Sequence, residues 1–279
     1  MNPTERSRNI TELLNLLIDE RKNATPINIP HSLQAKQMLM RALLTMRPPH
    51  PGLTARMEEL QNAELHAQLD TKGIVEVDEL RSWCPILHTD AGKEIILWNG
   101  DITRLHVSAI VTSTDRTLVG KFTPLHPSLN SIVHSAAGAQ LRAYMAKHLK
   151  NSDPAKHPIA SPGYNLPAKQ IIHICPPVLQ TKAIKGQIRL AERQALTACY
   201  QTLLDVANKY KTTTLAIPSL STGEGGYPIK KAASVAFKAI SQCRSRYIKT
   251  FIITTFNNAS YIAYHDLFKK YELRKSTTK

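Results

Sequence analysis

No apolar run in this 279-residue chain approaches the ~20 residues a membrane-spanning helix requires. The opening stretch MNPTERSRNI also lacks the apolar core of a secretion signal. Both absences lead us to expect no membrane association and a cytoplasmic location. Cysteine is scarce: Cys84, Cys175, Cys199 and Cys243 stand far apart, without the close pairing of a zinc knuckle or a redox dithiol, and read as reduced core thiols. Also missing is a stripe of aromatics interleaved with basic residues, the pattern that stacks and holds single-stranded nucleic acid. Lys and Arg are instead dispersed, with short clusters such as Lys230-Lys231 and Lys269-Lys270. A nucleic-acid or protein interaction module working through the basic surface therefore ranks behind readings that use a pocket.

A hydrophobic content of 42% is ordinary for a globular protein, so disorder is not the default. The formal charge of +15 is unevenly placed. Residues 1–70 hold 8 Lys/Arg and 8 Asp/Glu, leaving 28 and 13 for residues 71–279. All of the excess therefore lies in the later part, where a basic field raises encounter rates with nucleotides, nucleic acid or anionic proteins without choosing among them.

The early part reads as helices. Leu13, Leu14, Leu16, Leu17 and Ile18 cluster, and Leu33, Met38, Leu39, Leu43 and Leu44 recur at helical spacing until Arg47-Pro48-Pro49 ends the run. A third helix is expected from Thr54, its N-cap, to about Leu69, with Gly73 stopping it. Beyond this, apolar runs of strand type (95–98, 107–111, 171–175, 215–218, 251–256) alternate with helical patterns (130–149, 187–209, 229–242, 259–271). Such alternation predicts a mainly parallel sheet flanked by helices, with ligands beyond the carboxyl ends of the strands. The expected organisation is a helical extension over 1–72, an α/β domain over 73–272, and a disordered polar tail over 273–279.

Four features follow predicted strand ends. The most specific is Ser221-Thr222-Gly223-Glu224-Gly225-Gly226-Tyr227-Pro228, a glycine-rich turn between a strand and a helix. Such a turn can aim backbone N–H groups at a phosphate that also feels the positive end of the following helix. Asp101, after the run Ile95 to Trp98, can accept from the exocyclic amine of a base or simply cap the turn through Thr103. Phe256 can offer an aromatic face or sit in the core. The segment Thr112 to Gly138 combines a long loop, where function is common, with a helix start. Within it, His126 reads as a solvated or hydrogen-bonding loop residue and His134 as structural.

Taken in order, Gly-Asp-Ile-Thr after a strand, Ile-Val-His-Ser-Ala-Ala-Gly in a helix, Pro-Gly-Tyr-Asn-Leu-Pro at 162–167 and the Ser-Thr-Gly turn resemble the macrodomain family. The N-terminal segment, with Arg47-Pro48-Pro49-His50-Pro51 and Glu58-Glu59-Leu60-Gln61, is similar to the extension of its microbial zinc-dependent protein-ADP-ribose hydrolases. The resemblance implies a three-layer α/β macrodomain with a mixed, largely parallel sheet, binding ADP-ribose or ADP-ribosylated protein. It assigns adenine to Asp101, the diphosphate to Ser221 through Tyr227, and the distal ribose to residues between Thr112 and Asn130; the leading reading also sets Phe256 against the adenine and counts Ile102 among the ligand-binding residues. Where the zinc subgroup has Cys, His and Cys, this chain has Lys121, His126 and Ser128, so His126 is the only retained ligand position. No cofactor is therefore expected, and zinc of the family type is unlikely because a lysine ammonium repels the dication. An asparagine after the second strand and an acid before the helical histidine are exchanged, giving Asp115 and Asn130. The leading expectation is ADP-ribose recognition with zinc-dependent hydrolysis lost. The alternative is a zinc-independent ADP-ribosyl hydrolase with Asp115 orienting water and His126 assisting.

Overall fold

The computed structural model describes residues 2–21, 26–149, 157–180 and 187–277. Three helices open the chain: α1 (Pro3–Asp19), α2 (Leu33–Met46) and α3 (Ala55–Lys72). They close around Leu13, Leu14, Leu17, Leu43 and Leu60 of the apolar stripes that the sequence pattern marks, joined by Ile10. Thr54 caps α3 by accepting from the Met57 N–H at 3.3 Å, and Gly73 ends it at φ 76°. Inside the bundle the buried Glu64 carboxylate is held by a two-pronged contact from Arg6, both bonds at 2.8 Å. This pairing is what lets a carboxylate occupy a core position of α3.

A short helix α4 (Val77–Trp83) then leads into a seven-stranded sheet. The strands are β1 (Ile86–His88), β2 (Glu94–Asn99), β3 (Ala109–Ser113), β4 (Ile159–Pro162), β5 (Gln170–Ile174), β6 (Thr214–Pro218) and β7 (Thr250–Thr255). Their order is β1-β2-β7-β6-β3-β5-β4, parallel through the centre, with antiparallel β1 and β4 at the two edges. Between them run α5 (Leu129–Ala137), α6 (Ala139–Leu149), α7 (Leu190–Lys209), α8 (Ile229–Ser241) and α9 (Asn258–Thr277).

The period-two geometry of strands sorts side chains onto the two faces. Ile95, Leu97, Phe251 and Ile253 pack with Tyr200 of α7, Ala236 of α8 and Tyr264 of α9. Ile96, Trp98, Ile110 and Ile252 pack with Leu80 of α4, Val133 of α5 and Leu141 of α6. Both faces are covered, so the central strands read as continuous apolar runs.

Three expectations need correction. The helical pattern over 130–149 is two helices, because Gly138 adopts φ 101° and a Cβ there would stand 2.8 Å from Gln61 Nε2, where the extension docks. The edge strands β1 and β4 and the helix α4 are too short to rise above their surroundings in sequence. Residues 273–277 are helical rather than a free tail: α9 continues to Thr277, with Lys275 Nζ on the His88 carbonyl at 2.8 Å and near Asp90 at 3.0 Å.

The extension is tied to α5, α6 and the turn between β4 and β5 by polar contacts. Gln61 Oε1 accepts from the Ala139 N–H at 2.9 Å, Asn165 Nδ2 donates to Asn62 Oδ1 at 2.9 Å, and Arg41 Nε donates to Ser135 Oγ at 3.1 Å. Arg142 of α6, 6% exposed, bonds to the carbonyls of Thr45 and Arg47 and, through Nη2, to that of Lys121 at 3.2 Å. Its guanidinium also lies 4.6 Å from the Phe122 ring centre. One buried cation thus joins the end of α2 to the loop after β3.

Candidate functional site

The carboxyl ends of β2, β3, β6 and β7 lie side by side in the sheet, so the segments at Asp101, 114–128, 219–228 and Phe256 share one edge. The turn after β6 is the most open of them. Among the described residues no acceptor lies within hydrogen-bond reach of the N–H groups of Thr222, Gly223, Glu224 and Gly225. The turn is closed instead by Gly226 N–H on the Gly223 carbonyl and Tyr227 N–H on the Ser221 carbonyl, both at 3.0 Å. Ser221 holds the left-handed φ of 63°, and its Oγ donates to the Pro177 carbonyl at 2.7 Å. Gly225 is required by close approach, since its Cβ would fall 2.7 Å from the Ser221 carbonyl oxygen. The helix α8 begins just after, at Ile229, with no side chain capping it. Four consecutive free N–H groups ahead of an uncapped helix N-terminus make a concavity suited to an anion.

Tyr227 behaves differently from its neighbours. Its side chain is buried in the core and its hydroxyl donates to the Glu192 carbonyl at 3.0 Å, so it secures the turn from below. Thr222 Oγ1 likewise turns back to the Ser219 carbonyl at 3.1 Å.

Of the two roles the sequence leaves open for Asp101, the structure shows the cap. Its Oδ1 accepts from Thr103 N–H at 3.0 Å and Thr103 Oγ1 at 2.6 Å, capping a 3₁₀ turn over Ile102–Arg104. The second oxygen stays on the partly exposed side, 3.5 Å from Lys72 Nζ. Ile102 is buried beneath it. Phe256, by contrast, is 80% exposed at the end of β7, so the core role is not the one it takes.

Around the loop after β3 several buried polar atoms have no partner among the described residues: Thr112 Oγ1, Thr114 Oγ1, Asn130 Nδ2 and both ring nitrogens of His134. Asn130 and His134 lie directly under Gly120, whose φ of 76° and lack of a side chain let the loop pass over them. Burial, reinforced by the charge of Arg142, pushes the His134 pKa down to about 3, so its ring is neutral. His173 on β5, 6.0 Å away between ring centres, is held neutral by the same burial and bonds to Ser161 Oγ at 3.0 Å. An imidazole inside the apolar run Ile171-Ile172-His173-Ile174 was the sequence signal for this second histidine; nothing in sequence singled out Arg142.

Asp115 lies on the exposed rim, where Oδ1 accepts from Thr117 N–H at 2.8 Å and from the Thr117 hydroxyl. Lys121, His126 and Ser128 do come together. His126 Nδ1 accepts from the Ser128 N–H at 3.2 Å, and Nε2 lies 3.5 Å from Lys121 Nζ. Glu224 of the glycine turn reaches this group, pairing with Lys121 and standing 3.7 Å from His126 Nε2. This donor set does not fit a zinc ion of the family kind. One imidazole nitrogen is already used, the thiolates are replaced by an ammonium and a hydroxyl, and the carboxylate is taken by the ammonium.

Comparisons with known proteins bear on the fold. A protein-ADP-ribose hydrolase of Treponema medium is 27% identical over 246 residues, covering 87% of this chain and 90% of that one. In fold, the chain is similar to an Oceanobacillus iheyensis macrodomain solved with ADP (TM-score 0.59, 24% identity, 69% of this chain, 98% of that one). It is also similar to a Trypanosoma brucei macrodomain in complex with ADP (TM-score 0.58, 20% identity, 82% of this chain, 95% of that one). Residues 113–236, from the end of β3 into α8, match the Macro domain, and the chain has the macrodomain fold.

Proposed function

We propose that this protein binds ADP-ribose, free or attached to a modified protein, across the carboxyl ends of β2, β3, β6 and β7. The observation that carries the proposal is the row of four unpaired N–H groups from Thr222 to Gly225. They meet a diphosphate in the way a turn before a helix N-terminus meets phosphate generally. The partly exposed second oxygen of Asp101, beside Lys72, and the exposed face of Phe256 flank the adenine. The distal ribose lies beneath the loop, where its hydroxyls would give Thr112 and Asn130 the partners they lack. Isothermal calorimetry with ADP-ribose tests this: saturable one-to-one binding is expected, and no heat at high micromolar ligand refutes it.

A second reading is hydrolysis, favoured by the relatives named protein-ADP-ribose hydrolase. The residues at the zinc positions do not suit a metal-bound water, so Asp115 is the group that would orient one. In that step water adds to the anomeric carbon, the bond to the acceptor breaks, and the acceptor atom takes up a proton. Release of ADP-ribose from a modified protein that Asp115→Ala abolishes, with ADP-ribose binding kept, supports this reading. Equal release by the variant removes Asp115 from it.

A further inference from the structure

A cavity of about 380 Å³ lies between α2 and α3 of the extension, α5, and the loop segment around Gly120 and Lys121. Neither the glycine turn nor Asp101 nor Phe256 lines it; through the loop at Gly120 and Lys121 it adjoins the ribose end of the groove assigned to ADP-ribose. Its charge is one-sided. Arg41, Lys72, Lys121 and Arg142 line it, and none of the described lining residues is acidic. Lys72 and Lys121 are met by acids outside the lining, Asp101 at 3.5 Å and Glu224. Arg142 is spent on neutral carbonyls, and Arg41 uses Nε on the Ser135 hydroxyl with no acidic partner among the described residues.

Leu44, Leu65 and Ile132 supply an apolar wall. His134 also borders the cavity, 6% exposed and with both ring nitrogens unpartnered. A neutral imidazole donates at one nitrogen and accepts at the other, so it is an unused polar anchor. Uncompensated positive charge beside apolar surface is unfavourable, and an incoming anion relieves it. The volume lies in the range of small-molecule sites.

We propose that this cavity is a binding site for a small amphipathic organic anion, a carboxylate or a phosphate monoester on an apolar body. Its headgroup meets Arg41, and its body lies against Leu44, Leu65 and Ile132. The site is distinguishable from ADP-ribose binding, because it shares with the groove only the loop over the ribose and none of the phosphate or base contacts.

Calorimetry on the full chain with octanoate and octyl phosphate tests it, with octanol and octylammonium as neutral and cationic counterparts. At least one anion is expected to bind one-to-one, 10-fold or more tighter than octanol, while octylammonium does not bind. Tighter binding of octyl phosphate assigns the site to phosphate, and the reverse order assigns it to carboxylate. Arg41→Gln should weaken the anion 10-fold or more and leave the ADP-ribose titration unchanged. Ile132→Trp should fill the cavity and remove the binding; if that variant does not fold, Arg41→Gln decides. Octanol binding as tightly as either anion, anion binding that Arg41→Gln leaves intact, or no saturation by either anion at millimolar concentration would overturn the proposal.

Discussion

Replacing Gly225 with alanine isolates the anion-binding turn. The added Cβ would sit 2.7 Å from the Ser221 carbonyl oxygen, 2.8 Å from its Cα and 3.0 Å from its carbonyl carbon. All three atoms are backbone, so no change of rotamer relieves the clash and the turn must open. Opening it strains Ser221, already at φ 63°, and the 3.0 Å bond from Tyr227 N–H to the Ser221 carbonyl. A hydrogen bond to a charged group contributes about 1.5–3 kcal/mol, so losing one or two of the four available to a diphosphate costs about 3 kcal/mol. That is roughly 100-fold in Kd. Gly223→Ala is the control, because nothing lies within 4 Å of its added Cβ and its φ is not positive; its affinity should stay within about 0.5 kcal/mol of the parent. Calorimetric titration of ADP-ribose into both variants, with thermal unfolding to confirm that each is folded, reads the difference. Unchanged affinity in Gly225→Ala, or equal losses in the two, would refute the assignment of the turn to the diphosphate.

Phe256→Ala should leave the thermal midpoint unchanged, since the ring is 80% exposed, yet weaken ADP-ribose about 10-fold because aromatic stacking on a base contributes ~1–3 kcal/mol; unchanged affinity removes Phe256 from the site. Arg142→Met leaves the carbonyls of Thr45, Arg47 and Lys121 without their donor and should cost roughly 3 kcal/mol in urea unfolding, whereas a loss below about 1 kcal/mol would refute the buried link. Lys121→Ala removes an ion pair whose partners are 33% and 67% exposed, so stability should change by less than about 1 kcal/mol, and a larger drop would mean the pair is more than a screened contact. Stability should also fall with acid. The unfolded histidine titrates near 6.5 and native His134 only near 3, so between those values the unfolded state binds the extra proton; urea midpoints should decline as pH drops through this window, and an equally steep decline in His134→Leu would exclude His134 as a cause.

Much of the fold was legible because its signals are local. The five parallel strands appear as runs such as Ile95-Ile96-Leu97-Trp98 and Phe251-Ile252-Ile253, buried on both faces. Thr54 and Gly73 mark the ends of α3 by capping chemistry that needs no tertiary context. The break at Gly138 was not legible, because a glycine within a helical pattern is decided by what packs over it, here Gln61 from a segment 77 residues earlier. The same limit applied to the site. The glycine turn announces itself by composition, but Tyr227, next to it, faces the core, and Phe256, equally apolar, faces solvent. Residue type does not carry that orientation; the register of β7 and the packing of α7 do. Arg142 was invisible for a related reason, since its partners are carbonyls, which every residue has.

These contacts also explain what the helical extension does for the domain. The loop from Gly120 to Ser128 has no regular structure of its own and spans orphaned polar atoms at Asn130 and His134. It is held at one point from behind, where Arg142 binds the Lys121 carbonyl while gripping the end of α2, and at another from the front, where the Lys121 ammonium meets Glu224. The rear attachment is buried and directional, and the front one is exposed and screened by salt. The loop is thus fixed by a buried contact behind and a screened one in front. Lys121 joins the loop to the neighbouring turn by charge.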